Sequence, residues 1–175
     1  MFKILLENWH FYYIECIILI LLNKEEKTAD IKTFLSGTSD YYIPRSIKYQ
    51  TQEYLVTSIL PYSSGYKLKS IQFAPECHWK KITIPSSLTA IPIGAFGDCY
   101  TLEQIMFVFP SSVTSIGDFA LADCRSLKQI SLPSSVTFLG VSVFDWCKSL
   151  NHLIIPSSVD RSNFGFIYRI KITPF

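Results

Sequence analysis

The chain has 175 residues, of which 49% are hydrophobic and 17% are charged, and its 16 basic and 14 acidic side chains leave a formal net charge of +2. This length supports one domain with a real core, and the apolar content excludes an intrinsically disordered chain. The near balance of charges, with no basic run longer than Lys80-Lys81, gives no electrostatic footprint for nucleic acid.

The N-terminal segment, residues 1–30, contains an apolar stretch over residues 11–22 that is broken only by Glu15. The basic Lys3 and the length of the stretch suit a secretory signal, whereas the acidic residues and the missing small-residue cleavage site do not. Residues 4–22 approach the length of a membrane-spanning helix and allow membrane association. Three alternatives stay open: a helix or strand that caps the domain, a signal or anchor, and a misplaced gene start.

Residues 31–65 are predicted to form an atypical lead-in to the rest of the chain. The run Tyr54 to Ile59 has the β-branched content of a strand, and we expect it to form an irregular end together with Tyr41 to Tyr49. The segment Leu68 to Phe73 then imitates residues 127–132, which predicts a degenerate first turn of a repeat array.

A repeat is the main signal of the sequence. Pro-Ser-Ser occurs at residues 85, 110, 133 and 156, at intervals of 25, 23 and 23 residues. After each of the first three prolines, apolar residues recur at offsets 3, 6, 11, 17 and 20, and a cysteine recurs at offset 14. Such periodicity indicates stacked units that share one core, and it places leucine-rich repeats over residues 66–159.

The strand of each repeat can be read from Leu127, Ile130 and Leu132, which have the spacing of a leucine-rich repeat strand. Ile130 and Leu132 alternate with Gln129 and Ser131, so the first pair is expected inside and the second pair outside. The proline ends the strand because it has no N–H for the ladder.

The predicted fold is therefore an α/β solenoid dominated by strands, with repeats of about 23 residues. Parallel strands form one side, and short helices or turns form the other, where Phe96, Leu121 and Phe144 fill the core. The 25-residue interval is interpreted as a bulge or a longer strand within residues 105–109. Residues 160–175 are expected to be a C-terminal strand or a truncated end, with Arg169 and Lys171 placing charge on the open edge.

The segment 110–133 reads Pro110-Ser111-Ser112-Val113-Thr114-Ser115-Ile116-Gly117 and continues with Cys124-Arg125-Ser126-Leu127-Lys128-Gln129-Ile130. This segment resembles the BspA-like leucine-rich repeat surface antigens. The resemblance implies surface proteins of bacteria and protists that bind host matrix proteins or other cells. It specifies the repeat class and leaves the partner open.

Motifs for catalysis or cofactor binding are not found in the sequence. None of the five cysteines has Cys-x-x-Cys spacing, and the three histidines are scattered. The column of Cys99, Cys124 and Cys147 is interpreted as a stack of small buried thiols, because ligands in a line do not converge on a metal. Asp98 and Asp123 are expected to bond turn N–H groups. We therefore predict no enzyme activity, no catalytic or metal site and no cofactor.

A candidate binding face follows from the outward strand positions, which vary in chemistry while the inward positions repeat. Its residues are Lys81, Thr83, Gln104, Met106, Gln129, Ser131, His152 and Ile154. We expect a protein partner, such as a host matrix or cell-surface protein, rather than nucleic acid. A secreted or cell-surface adhesion protein is the leading hypothesis. The alternatives are a cytoplasmic scaffold, a degenerate repeat fragment without its own function, and simple solvation of this face.

Overall fold

The computed structural model describes residues 5–6, 9–12, 18–23, 25–34, 40–49, 51–59, 79–160 and 171–174. The predicted degenerate turn at residues 68–73 and the predicted edge residue Arg169 lie outside these ranges. The strands are β1 (Leu5–Leu6), β2 (Trp9–Tyr12), β3 (Ile18–Asn23), β4 (Thr28–Phe34), β5 (Asp40–Tyr42), β6 (Ser46–Tyr49), β7 (Gln52–Ile59), β8 (Lys81–Ile84), β9 (Ala90–Ile91), β10 (Gln104–Phe107), β11 (Ser115–Ile116), β12 (Gln129–Ser131), β13 (Phe138–Leu139), β14 (His152–Ile155) and β15 (Lys171–Pro174).

The principal sheet has the strand order β15-β14-β12-β10-β8-β5, and every neighbouring pair is parallel. The strands β8, β10, β12 and β14 come from successive repeats, so this sheet is one side of a solenoid of stacked turns. The inward positions are all buried, as the period-two pattern predicts. They are Ile82, Ile84, Ile105, Phe107, Ile130, Leu132, Leu153 and Ile155.

The opposite side of the coil consists of turns and a small parallel sheet, β13-β11-β9. The strand-dominated solenoid with parallel strands is thus confirmed. Short helices or turns were the predicted forms for this side. The described residues contain no helix, and turns form this side instead. Phe96, Leu121 and Phe144 are buried there, in the expected core positions.

Glycine allows the turns of this side to stack closely. An added Cβ at Gly117 would lie 2.6 Å from the backbone nitrogen of Ile93, and one at Gly140 would lie 2.4 Å from that of Asp118. Backbone therefore packs directly against backbone at this point of each turn. Gly117 and Gly140 therefore allow an approach between neighbouring turns that a side chain would block.

The N-terminal region forms its own sheet, with the order β1-β2-β3-β4-β7-β6. Of the two predicted forms, helix or strand, the described part of the apolar segment is strand. Antiparallel pairing of β3 with β2 and β4 satisfies the hydrogen-bonding groups of its backbone. Of the two segments predicted to form an irregular end, residues 46–49 pair with β7 as the antiparallel strand β6, whereas Tyr41 lies in β5 and pairs with β8. None of the described segments forms a helix with the length and apolar character of a membrane span.

The chain enters the principal sheet directly from this N-terminal region. Strand β5 pairs in parallel with β8, and the N–H of Ile43 donates to the carbonyl of Thr83 at 3.1 Å. Ile43, Ile47 and Val56 belong to the same buried cluster as the repeat interior. The first described repeat strand, β8, is therefore paired on this side rather than left as an open edge.

The long interval does not produce a bulge or a longer strand. Strand β10 has four residues, as β8 has, and the two pair without a register shift. The N–H of Val108 still donates to the carbonyl of Ile84 at 2.9 Å. The extra residues follow the strand instead, where Phe109 and Pro110 are exposed although Pro85 is buried.

Candidate functional site

The eight residues predicted for the candidate binding face lie side by side on the principal sheet. Register pairs Lys81 with Gln104, Gln104 with Gln129, and Gln129 with His152. Thr83 likewise pairs with Met106, and Ser131 with Ile154. Because paired residues in neighbouring strands point to the same side, these positions form two rows across the sheet. None of the eight is buried.

Four further residues extend the two rows at their ends. Asp40 and Tyr42 pair with the first repeat strand, and Lys171 and Thr173 pair with the last described one. The strand-start row is Asp40, Lys81, Gln104, Gln129, His152 and Lys171. The strand-end row is Tyr42, Thr83, Met106, Ser131, Ile154 and Thr173.

Sequence reasoning missed Asp40 and Tyr42 as members of this face, because no Pro-Ser-Ser unit marks strand β5. Lys171 was predicted as edge charge only. Its pairing with His152 places it in the strand-start row. The imidazole Nε2 of His152 lies 3.1 Å from the hydroxyl of Thr173, which ties the last two described strands together.

A shallow groove of about 260 Å³ crosses the middle of the face. Its outward lining residues are Gln104, Met106, Phe109, Gln129, Ser131, His152 and Ile154. Phe109 was not predicted as a site residue. It is 72% exposed, the largest fraction among the described large apolar residues, and it stands in the extra residues after β10. The irregular interval in the repeat was the signal that could have found it.

Charge is concentrated at one end of the strands. Lys80, Glu103 and Lys128 each precede a strand, and the ammonium of Lys128 lies 2.8 Å from a carboxylate oxygen of Glu103. This hydrogen bond, with the charges of Lys128 and Lys80, lowers the pKa of the Glu103 carboxyl. The pair is exposed to solvent and contributes little to stability. The strand-end row has no charged residue.

The cysteine column lies inside the coil and is part of its hydrogen-bond network. The thiol of Cys124 lies 3.2 Å from the carbonyl oxygen of Phe96, and that of Cys147 lies 3.1 Å from that of Leu121. Each thiol therefore donates to the turn before its own, in addition to packing as a small apolar group. Cys99, Cys124 and Cys147 are buried, and none of the three forms a disulfide bond. Among the described residues, no group of three His, Cys, Asp or Glu side chains is placed to hold a metal ion.

The aspartates before two of these cysteines contact side chains on the turn ridge. The Tyr100 hydroxyl donates to Asp98 at 3.3 Å, and Arg125 forms a two-pronged pair with Asp123 at 2.7 and 2.8 Å. The Arg125 guanidinium also lies over the Tyr100 ring, 4.6 Å from its centre. Burial raises the pKa of Asp98, and the charge of Asp123 adds to this effect. Both carboxylates are thus used by local contacts of the ridge.

Backbone conformation explains why aspartate suits these ridge positions. Asp98, Asp123 and Trp146 have φ values of 59°, 58° and 61°, in the left-handed region that aspartate adopts at lower cost than bulky residues do. Trp146 is also 71% exposed. Its side chain therefore strains the backbone without contributing to the core.

Comparison with solved structures places the fold among bacterial leucine-rich repeat proteins. A leucine-rich cell surface protein from Faecalibacterium prausnitzii is 22% identical, with a TM-score of 0.65 over 99% of this chain and 43% of that one. A leucine-rich repeat protein from T. pallidum is 24% identical, with a TM-score of 0.66 over 82% and 60% of the two chains. One from Bacteroides capillosus is 24% identical, with a TM-score of 0.61 over 86% and 96%.

The chain therefore spans less than two thirds of the F. prausnitzii and T. pallidum proteins. No curated protein matches the sequence significantly. The sequence pattern described as "BspA type Leucine rich repeat region" matches residues 66–175 in six copies. This match starts where the repeat array is predicted to start and continues through residues 160–175. The chain belongs to the family of BspA-type leucine-rich repeat proteins.

Proposed function

We propose that the protein is a non-enzymatic binding module that engages another protein through the candidate binding face. The observation that carries this proposal is the contrast within each strand of the principal sheet. Inward residues are buried and nearly uniform, whereas their outward neighbours Lys81, Met106, Gln129 and Ile154 differ in charge, size and polarity. Chemical variety on a fixed scaffold is typical of a recognition surface.

The groove supports a protein partner rather than a small-molecule substrate. Its volume of about 260 Å³ lies below the range of about 300–1,000 Å³ for small-molecule pockets. The two aspartates on the ridge are paired with Arg125 and Tyr100, so they do not form an acid–base pair over a cleft. These features favour contact with side chains of a second polypeptide.

We propose a cell-surface or secreted location for this module. Support comes from the F. prausnitzii protein of the same fold, which is described as a cell surface protein. Antibody labelling of intact cells tests this location, with permeabilised cells as the control. Labelling that requires permeabilisation would instead favour the cytoplasmic scaffold, and so would a thiol count with all five cysteines reduced in cells.

Selection from a displayed random-peptide library tests the binding function. We expect binders of the full chain to lose affinity for the double variant Gln129→Arg/Ser131→Arg, because two long cations then cover the groove. The matched control is Phe138→Arg/Val141→Arg, which changes two exposed residues on the other side of the coil. Binders that are weakened equally by both variants, or only by the control, would refute the proposal.

A further inference from the structure

The candidate binding face is divided into two halves of different chemistry. Among the described residues of the face, the charged ones lie in or just before the strand-start row, while the strand-end row is neutral. The apolar contacts of the groove come from Met106, Phe109 and Ile154 on the strand-end side. A ligand that crosses the strands therefore meets charged groups along one edge and apolar groups along the other.

The charged edge is positive on balance. Of the described residues, four lysines stand there, Lys80, Lys81, Lys128 and Lys171, against the two carboxylates Asp40 and Glu103, which leaves a net charge of +2. The bond between Lys128 and Glu103 already neutralises one cation. Lys80, Lys81 and Lys171 thus outnumber the remaining acidic residue, and this edge attracts a negatively charged partner.

Amide side chains occupy the middle of the strand-start row. Gln104 and Gln129 are neighbours in register, and both are exposed. Each amide offers two donors and one acceptor group, which are the partners that peptide N–H and C=O groups need. Between the basic edge and the apolar groove, the face therefore has groups suited to a polypeptide backbone.

Phe109 gives the groove its apolar wall. The proline after the strand is buried in the other repeats, but the extra residues after β10 leave Pro110 exposed and place the exposed ring of Phe109 before it. An exposed ring beside a groove that fits a side chain is the usual form of an interface anchor. The half-exposed Met106 adds an adaptable apolar floor.

We infer that the groove binds an acidic segment of a protein partner and takes up one large apolar side chain of that segment. The apolar side chain lies against Met106, Phe109 and Ile154, and flanking carboxylates lie toward Lys81 and Lys171. This inference rests on the proposed function and specifies the partner's chemistry. A polyanion without an apolar group matches only the basic edge and leaves the groove empty. The test must therefore distinguish a polyanion from an acidic segment with an apolar side chain.

Titration of the full ¹⁵N-labelled chain with synthetic peptides, followed by NMR, tests the inference. The probe is a nine-residue peptide with a central phenylalanine and two glutamates on each side. One comparison peptide has lysine in place of glutamate, and another has alanine in place of phenylalanine. We expect saturable shifts at Gln104, Met106 and Gln129 with the probe, and at least about tenfold weaker binding of each comparison peptide.

Two variants locate the contact on the protein. Phe109→Ala should weaken binding of the probe peptide about tenfold. The matched control Phe138→Ala changes a ring that is 53% exposed on the outer sheet and should leave this affinity unchanged. Lys81→Glu should weaken binding of the probe peptide, and Lys48→Glu in the N-terminal sheet should not. Equal binding of the acidic and basic peptides, indifference to Phe109→Ala, or no shifts at the groove would overturn the inference.

Failure of this inference can be told apart from failure of the proposed function. If library-selected binders respond to Gln129→Arg/Ser131→Arg but lack acidic residues around an apolar one, the face binds proteins and the specificity assigned here is wrong. If they do not respond to that variant, the binding function itself is wrong.

Discussion

The interior of the coil and its open sheet face are built from the same strands but follow opposite rules. Within β12, Ile130 is buried and matches Ile82, Ile105 and Leu153 of the neighbouring strands. Gln129, one residue away, is exposed and stands between Gln104 and His152. The period-two alternation thus separates two tasks: inward residues hold the turns together, and outward residues are free to vary.

The largest effect is expected from emptying the interior. Leu127 is completely buried, so Leu127→Ala should lower the free energy of unfolding by about 2–5 kcal/mol through lost burial and an unfilled cavity. Gln129→Ala, two residues away on the open face, should change it by less than about 0.5 kcal/mol. Urea unfolding of the full chain measures both. Similar losses in the two variants would contradict the division between interior and face.

A smaller effect is expected from separating two turns. Gly117→Ala places a methyl group 2.6 Å from the backbone nitrogen of Ile93, so it should cost about 1–3 kcal/mol by overpacking. Gly97→Ala is the control, because its Cβ would be 3.2 Å from the Phe119 carbonyl oxygen and needs only a slight adjustment. Thermal unfolding should rank Gly117→Ala as the less stable protein. The reverse order would refute the close stacking at Gly117.

Trp146 offers a change of the opposite sign. Trp146→Asp restores the residue type of the two preceding ridge positions and relieves the left-handed strain, so it should raise stability by about 1 kcal/mol. Ser134→Asp, which makes the same change in charge at another exposed position, controls for the added carboxylate. Denaturant midpoints measure both. A destabilised Trp146→Asp protein would mean that the exposed indole contributes contacts of its own.

The smallest effect concerns the exposed pair at the strand starts. The pKa of Glu103 is lowered in the folded protein, so its contribution to stability exists above the ordinary glutamate pKa and is lost as pH falls through the lowered value. Lys128→Ala should move the Glu103 pKa back toward its ordinary value. NMR titration of the side-chain carboxyl carbon measures the shift, with Lys148→Ala as control. A Glu103 pKa that ignores Lys128→Ala would contradict the pairing.

The sequence was sufficient for the repeat and the alternation because stacked turns must place the same residue type at each inner position. The prediction was less informative where periodicity stops. Strand β5 joins the sheet by backbone pairing, and no repeated side chain marks it in the sequence. Phe109 lies at the face because of the one irregular interval between Pro-Ser-Ser units. Turns instead of helices line the outer side, where Gly117 and Gly140 bring the turns into backbone contact.

Cross-linking across the principal sheet tests the central claim that successive repeats lie side by side in register. Gln104→Cys and Gln129→Cys would occupy paired positions in adjacent parallel strands, about 4.8 Å apart and within disulfide range. Gln104→Cys and His152→Cys would be two strands apart, at about twice that distance. We expect mild oxidation to link the first pair and leave the second pair unlinked, with the fragments identified by mass spectrometry. Equal linking of both pairs, or failure of the first, would contradict the solenoid and the binding face built on it.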